Sequence, residues 1–166
     1  INLLTLVFNT TAGRSPRNHT TTAPSRGSSS RPAGPVRLTW ADIAAATNYF
    51  AVELVRGSSE ALYKGRLHDG PEVAVKVLEK HRRQGVEDAF MAESNILSGL
   101  RHDHIVRLVG WCAEQEYRML VYEHMGNGTL SDHLHRVGGG PSSAPVSASW
   151  RTRLEVLLGA ARAIEY

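Results

Sequence analysis

Lys76 and Glu93 are the residues whose types and positions could do chemistry. Lys76 lies in the strand-like run Glu72 to Leu78, between Val75 and Val77, on the face shared by Ala74 and Leu78. A half-buried ammonium without a partner is costly or loses its proton, so a carboxylate must approach it. Glu93 stands three residues after Phe90 and four before Leu97, so it points into the apolar stripe of Phe90, Leu97 and Leu100. Each residue explains the other. Taken alone, the two leave a structural ion pair and a functional one equally open.

Other candidates carry less. Cys112 is the single cysteine, which removes intramolecular disulfides and CxxC zinc schemes and makes a reducing compartment the default. It sits in an apolar run and reads as a small buried hydrophobe with no role. His102 with His104, and His133 with His135, are spaced by two, but no further ligand accompanies them, so no metal site is expected. The basic run Lys80-His81-Arg82-Arg83 reads as a solvated turn.

Positioning Lys76 and Glu93 requires a sheet with a helix against it. Ala61 to Leu67 and Glu72 to Leu78 read as strands joined by His68-Asp69-Gly70-Pro71, in which Asp-Gly is a hairpin signal. Gly85 to Leu100 has helical period. After a loop around His102-Asp103-His104, Ile105 to Cys112 and Tyr117 to Glu123 again read as strands, joined by the polar stretch Ala113 to Glu116. Ahead of the sheet, order is expected from Leu38. Thr39 and Asp42 have the spacing of an N-cap and an N3 acid that reaches back to it, which predicts a short helix up to Thr47-Asn48. Thr129 and Asp132 repeat that spacing and predict a helix ending near Val137, before a low-complexity loop over 138–149. Ser149 can cap a last helix from Trp150, with Leu154, Leu157, Ala161 and Ile164 or Glu165 on one face.

At 166 residues and 42% hydrophobic, the chain can bury one core with room for a second small lobe, which excludes a large two-domain enzyme. Of its 19 basic and 16 acidic residues, five arginines and no acid fall in residues 1–37, leaving 14 basic and 16 acidic beyond. The basicity belongs to the tail. Asn9 to Pro35 is rich in Ser, Thr, Pro, Gly and Arg, which cannot offset the entropy of ordering, so residues 1–37 read as a disordered linker. A nucleic-acid arm is the rival, but the arginines are dispersed and Lys is absent, so no nucleic-acid partner is expected. The apolar run Ile1 to Phe8 has eight residues, against the roughly 20 that span a bilayer. A membrane link is expected only through a segment upstream of Ile1.

The order of these motifs resembles the nucleotide lobe of protein kinases. Leu54-Val55-Arg56-Gly57-Ser58-Ser59-Glu60-Ala61-Leu62-Tyr63-Lys64-Gly65 stands where that family has its glycine-rich loop, with Val73-Ala74-Val75-Lys76 one hairpin later. Leu100 to Cys112 is similar to the loop and fourth strand of plant receptor-like serine/threonine kinases, and Leu120 to Leu130 to their fifth strand, hinge and helix D. Leu38 to Phe50 resembles the segment that precedes the kinase domain on the cytoplasmic side of the membrane. The Ser/Gly insert before Trp150 and the ending Ala160 to Tyr166 are most similar to the Crinkly-related receptor-like kinases.

The resemblance implies an α+β fold: a small, mostly antiparallel sheet with helix C (51–125, including the hinge), preceded by a juxtamembrane-type helix (38–50). The first helices of an incomplete C-lobe would follow (126–166). It also implies ATP as the ligand. Lys76 would hold the α- and β-phosphates, Glu93 would pair with Lys76, and Tyr122 would be the gatekeeper. The backbone of Glu123 and Met125 would bond adenine, with Leu54, Gly57, Leu62 and Ala74 completing the site.

Two departures qualify this. Val55 and Glu60 replace the first and third glycines of the loop, leaving Gly57, and Glu60 brings a carboxylate towards the phosphates, so ATP affinity is expected to be weak. No HRD-type loop and no DFG motif lies in the 166 residues, so the base aspartate and both Mg ligands are missing from them, and Mg is expected only in an intact parent. The chain as given should be inactive. The function expected is ATP binding in service of protein phosphorylation and signalling by the parent, on the cytoplasmic side and at the plasma membrane if the parent carries a transmembrane helix. The protein substrate or partner kinase is not specified by the sequence. The alternatives are a pseudokinase or interaction module, which Val55 and Glu60 favour, or a non-functional truncated product.

Overall fold

The computed structural model describes residues 34–68, 70–78, 85–126 and 150–166. In chain order these form β1 (Val36–Arg37), α1 (Trp40–Ala46), β2 (Glu53–Arg56), β3 (Glu60–Arg66), β4 (Glu72–Leu78) and α2 (Val86–Gly99). Then come β5 (Leu108–Glu114), β6 (Tyr117–Glu123) and α3 (Trp150–Glu165). The strands make one sheet in the order β1-β5-β6-β4-β3-β2. Every pairing is antiparallel except the parallel contact of β1 with β5.

Alternation along β4 divides the core in two, because successive side chains of a strand point to opposite faces. On one face Val73 and Val75 are buried with Met119, Val121, Cys112 and Ile43 of α1. On the other, Leu78 packs with Leu108, Leu120 and Tyr122 of the sheet and with Val86 and Phe90 of α2. The helical stripe predicted around Phe90 is therefore the one that meets the sheet, with Leu97 packed against its edge.

Residues 36–50 cover the first of these faces. Thr39 caps α1 and forms the predicted capping box with Asp42, whose carboxylate accepts from the Thr39 backbone N–H at 2.9 Å. That bond, after the one from the Thr39 hydroxyl, holds the Asp42 carboxyl below the usual range. Leu38 N–H donates to the Trp111 carbonyl at 2.8 Å, and Trp40 N–H donates to Glu114 at 2.9 Å.

Several boundaries differ from the sequence reading. Val36–Arg37, inside the expected linker, is a strand. It can pair because β5 carries a bulge at Val109 with Gly110 beside it: a Cβ on Gly110 would lie 2.7 Å from the Val36 carbonyl oxygen. The strand expected over Ile105 to Cys112 runs instead over Leu108–Glu114. At its start, the Arg107 N–H is taken by the Glu123 carboxylate at 2.9 Å. At its end, Gln115 turns with φ of 49° and lets Glu114 pair with Tyr117. β3 begins and ends one residue earlier than expected, and β2 adds a strand at the far edge. The regions 1–33 and 127–149, which include the helix expected after Thr129 and the loop over 138–149, lie outside the described residues, as do Lys80 to Arg83.

Candidate functional site

Register brings the sequence-assigned residues together on the α2 side of the sheet. Leu62 pairs with Lys76, Lys76 with Leu120, and Ala74 with Tyr122, so Leu62, Ala74, Lys76 and Tyr122 share one face. Val55 joins them, being opposite Leu62. Leu54 is the extra residue of a bulge in β2 and is exposed. Glu93 approaches from α2.

The charges there form one network. Lys76 Nζ donates to Glu93 Oε2 at 2.9 Å and lies 3.1 Å from Glu60 Oε2, with side-chain exposures of 10%, 26% and 31% for the lysine, Glu93 and Glu60. The Tyr122 hydroxyl donates to the second oxygen of Glu93. Burial alone would pull the ammonium down, but the hydrogen bond and charge of Glu93, with the charge of Glu60, lift it above the ordinary lysine value. Burial and then the charge of Glu93 push the Tyr122 phenol far above the tyrosine range, so it stays a neutral donor.

Sequence reasoning anticipated the Lys76–Glu93 pair but not the other two partners. It set Glu60 near the phosphates without seeing that Glu60 reaches Lys76 itself. Glu60 and Lys76 are diagonal neighbours across the β3–β4 pair, a relation that follows once the register is known. Gly57 makes room for it. The turn between β2 and β3 closes with Gly57 N–H donating to the Glu60 carbonyl at 2.8 Å, and a Cβ on Gly57 would stand 3.3 Å from Glu60 Cγ. The bond from Tyr122 to Glu93 left no signal in the pattern, since it joins β6 to α2 across the core.

The hinge residues stand apart from the ammonium. Glu123 N–H donates to the Arg107 carbonyl at 3.1 Å, and His124 N–H to the Glu72 carbonyl at 3.2 Å. Glu123 and Met125 line a cavity of about 330 Å³ with Leu100, Arg101, His102, Asp103, Ile105 and Arg107. Lys76 does not reach it. Cys112 is fully buried, and burial raises its thiol above the usual range. The rings of His102 and His104 are 5.5 Å apart, and among the described residues no three His, Cys, Asp or Glu side chains gather as metal ligands would. Leu62, Ala74 and Lys76 fit a bound nucleotide, whereas Glu60 beside Lys76 does not fit its phosphates.

A strand lysine joined to an inward helix glutamate, on a sheet of this order, is the arrangement of a kinase nucleotide lobe, and the comparisons agree. The family described as protein tyrosine and serine/threonine kinase matches residues 50–166. The chain belongs to this protein kinase family, as part of a kinase domain like those of plant receptor-like kinases. It is 41% identical over 138 residues to the serine/threonine-protein kinase-like protein CCR4 of Arabidopsis thaliana, covering 75% of this chain and 18% of that protein. It is 44% identical over 110 residues to the "Probable receptor-like protein kinase At5g59700" of the same plant, covering 66% of this chain and 12% of that one. Among solved structures, the apo GRMZM2G135359 pseudokinase superposes with a TM-score of 0.65 at 27% identity, over 91% of this chain and 52% of that one. The chain thus spans less than a fifth of either relative.

Proposed function

We propose that this chain is the ATP-binding part of a receptor-like serine/threonine kinase, and that it holds adenine nucleotide weakly between the Lys76 face of the sheet and the hinge. The observation that carries this is the 2.9 Å bond from Lys76 to Glu93, which orients an ammonium on the face shared by Leu62, Ala74 and Tyr122. When bound, ATP would supply the phosphoryl group. Lys76 would meet its α- and β-phosphates, Glu93 would keep that ammonium charged and aimed, and Tyr122 would fix the second Glu93 oxygen. Base and Mg would come from catalytic loops that the 166 residues do not contain. In this reading the parent protein phosphorylates proteins in signalling on the cytoplasmic side, and at the plasma membrane if it carries a transmembrane helix.

Titrating the chain with a fluorescent ATP analogue, with unlabelled ATP as competitor, tests this. Saturable binding that competitor removes and that Lys76→Met weakens supports the reading; no competable binding overturns it. A specific observation favours a second reading, a pseudokinase: the 3.1 Å pair of Glu60 with Lys76 engages the ammonium from the loop side. A solved structural neighbour is itself described as a pseudokinase.

A further inference from the structure

We infer that Glu60 is a built-in anion that takes the phosphate's place on Lys76, so that the cleft accepts a phosphate-free adenine ligand as readily as ATP. This rests on the reading that the cleft takes adenine nucleotide. Four observations carry it. Glu60 Oε2 lies 3.1 Å from Lys76 Nζ, reaching it from the first position of β3. The ammonium therefore already has two carboxylate partners. Gly57, the surviving glycine of the turn, leaves space that the Glu60 side chain occupies. Val55 faces the same side from β2, where a glycine would have let the backbone come nearer to a ligand.

The consequence follows from charge. A polyphosphate must either displace Glu60, exchanging one ion pair for another, or lie beside two carboxylates that repel it. In neither case do the phosphates add affinity. The adenine moiety meets no such opposition, because Leu62 and Ala74 are uncharged and Glu72, the carboxylate on that face at the hinge end of β4, is neutralised by Lys64 at 3.1 Å and Arg66 at 3.2 Å.

Calorimetric titration of the purified 166-residue chain with adenosine and with ATP tests the inference, using the wild type, Glu60→Ala and Glu60→Gln. The glutamine variant keeps the side chain that packs on Gly57 should the alanine variant fail to fold. In the wild type, adenosine and ATP should bind within about threefold of each other; removing the charge should tighten ATP by about tenfold and leave adenosine unchanged. ATP binding far more tightly than adenosine in the wild type, or an ATP affinity indifferent to both substitutions, overturns the role of Glu60 while leaving the cleft as a nucleotide site. Failure of both ligands to bind all three proteins overturns that site as well, and the inference with it.

Discussion

Alternate residues of β4 meet two different environments, and the contrast separates what stabilises this lobe from what it does. Val73 and Val75 are sealed beneath α1 with Ile43, Met119 and Val121, in a layer of apolar side chains. One residue further along, Lys76 faces α2 with two carboxylates and a phenol around it. An apolar face gains from every methyl removed from water, whereas an ion cluster gains little, because desolvation offsets its attraction. The charges gathered around Lys76 therefore add little to the stability of the lobe.

The largest expected effect is on the apolar face. Ile43→Ala should cost about 2–5 kcal/mol in urea denaturation, from lost transfer energy and a residual cavity. A cost near zero would mean that α1 does not dock. On the charged face, Glu93→Ala strands both the Lys76 ammonium and the Tyr122 hydroxyl on one side and should cost about 1–3 kcal/mol, less than Ile43→Ala because Glu60 remains. Gly110→Ala should cost about 1–3 kcal/mol and release β1, read as faster amide exchange at Leu38, because the new Cβ would press on the Val36 carbonyl. The smallest effect belongs to Thr39→Ala, about 1 kcal/mol, through loss of the cap on α1.

Legibility in the sequence followed the range of the interaction. The capping box at Thr39 and Asp42 and the inward position of Glu93 depend on residues three or four apart, and periodicity exposes both. The hairpin of β3 with β4 was legible within one residue for the same reason. β1 was not, because two residues after a proline acquire a partner only where Gly110 lets the chain approach. The ends of β5 were set by Glu123 capturing the Arg107 N–H and by the turn at Gln115, neither of which changes the hydrophobic pattern. Motif order put Lys76 and Glu93 together, but the contacts of Glu60 with Lys76 and of Tyr122 with Glu93 became visible only through register and packing.

The central claim is that one ammonium is held between Glu93 and Glu60. Its direct test is the titration of Lys76 by heteronuclear NMR of its side-chain ammonium, in the wild type and in Glu60→Gln. A raised folded-state pKa means that the stability supplied by the charged lysine is complete below the unfolded value of about 10.4 and lost as pH climbs through the folded value. The account predicts that Lys76 titrates above an ordinary lysine and falls back towards it when Glu60 loses its charge. A Lys76 that titrates at or below the ordinary value, unmoved by Glu60→Gln, would contradict it.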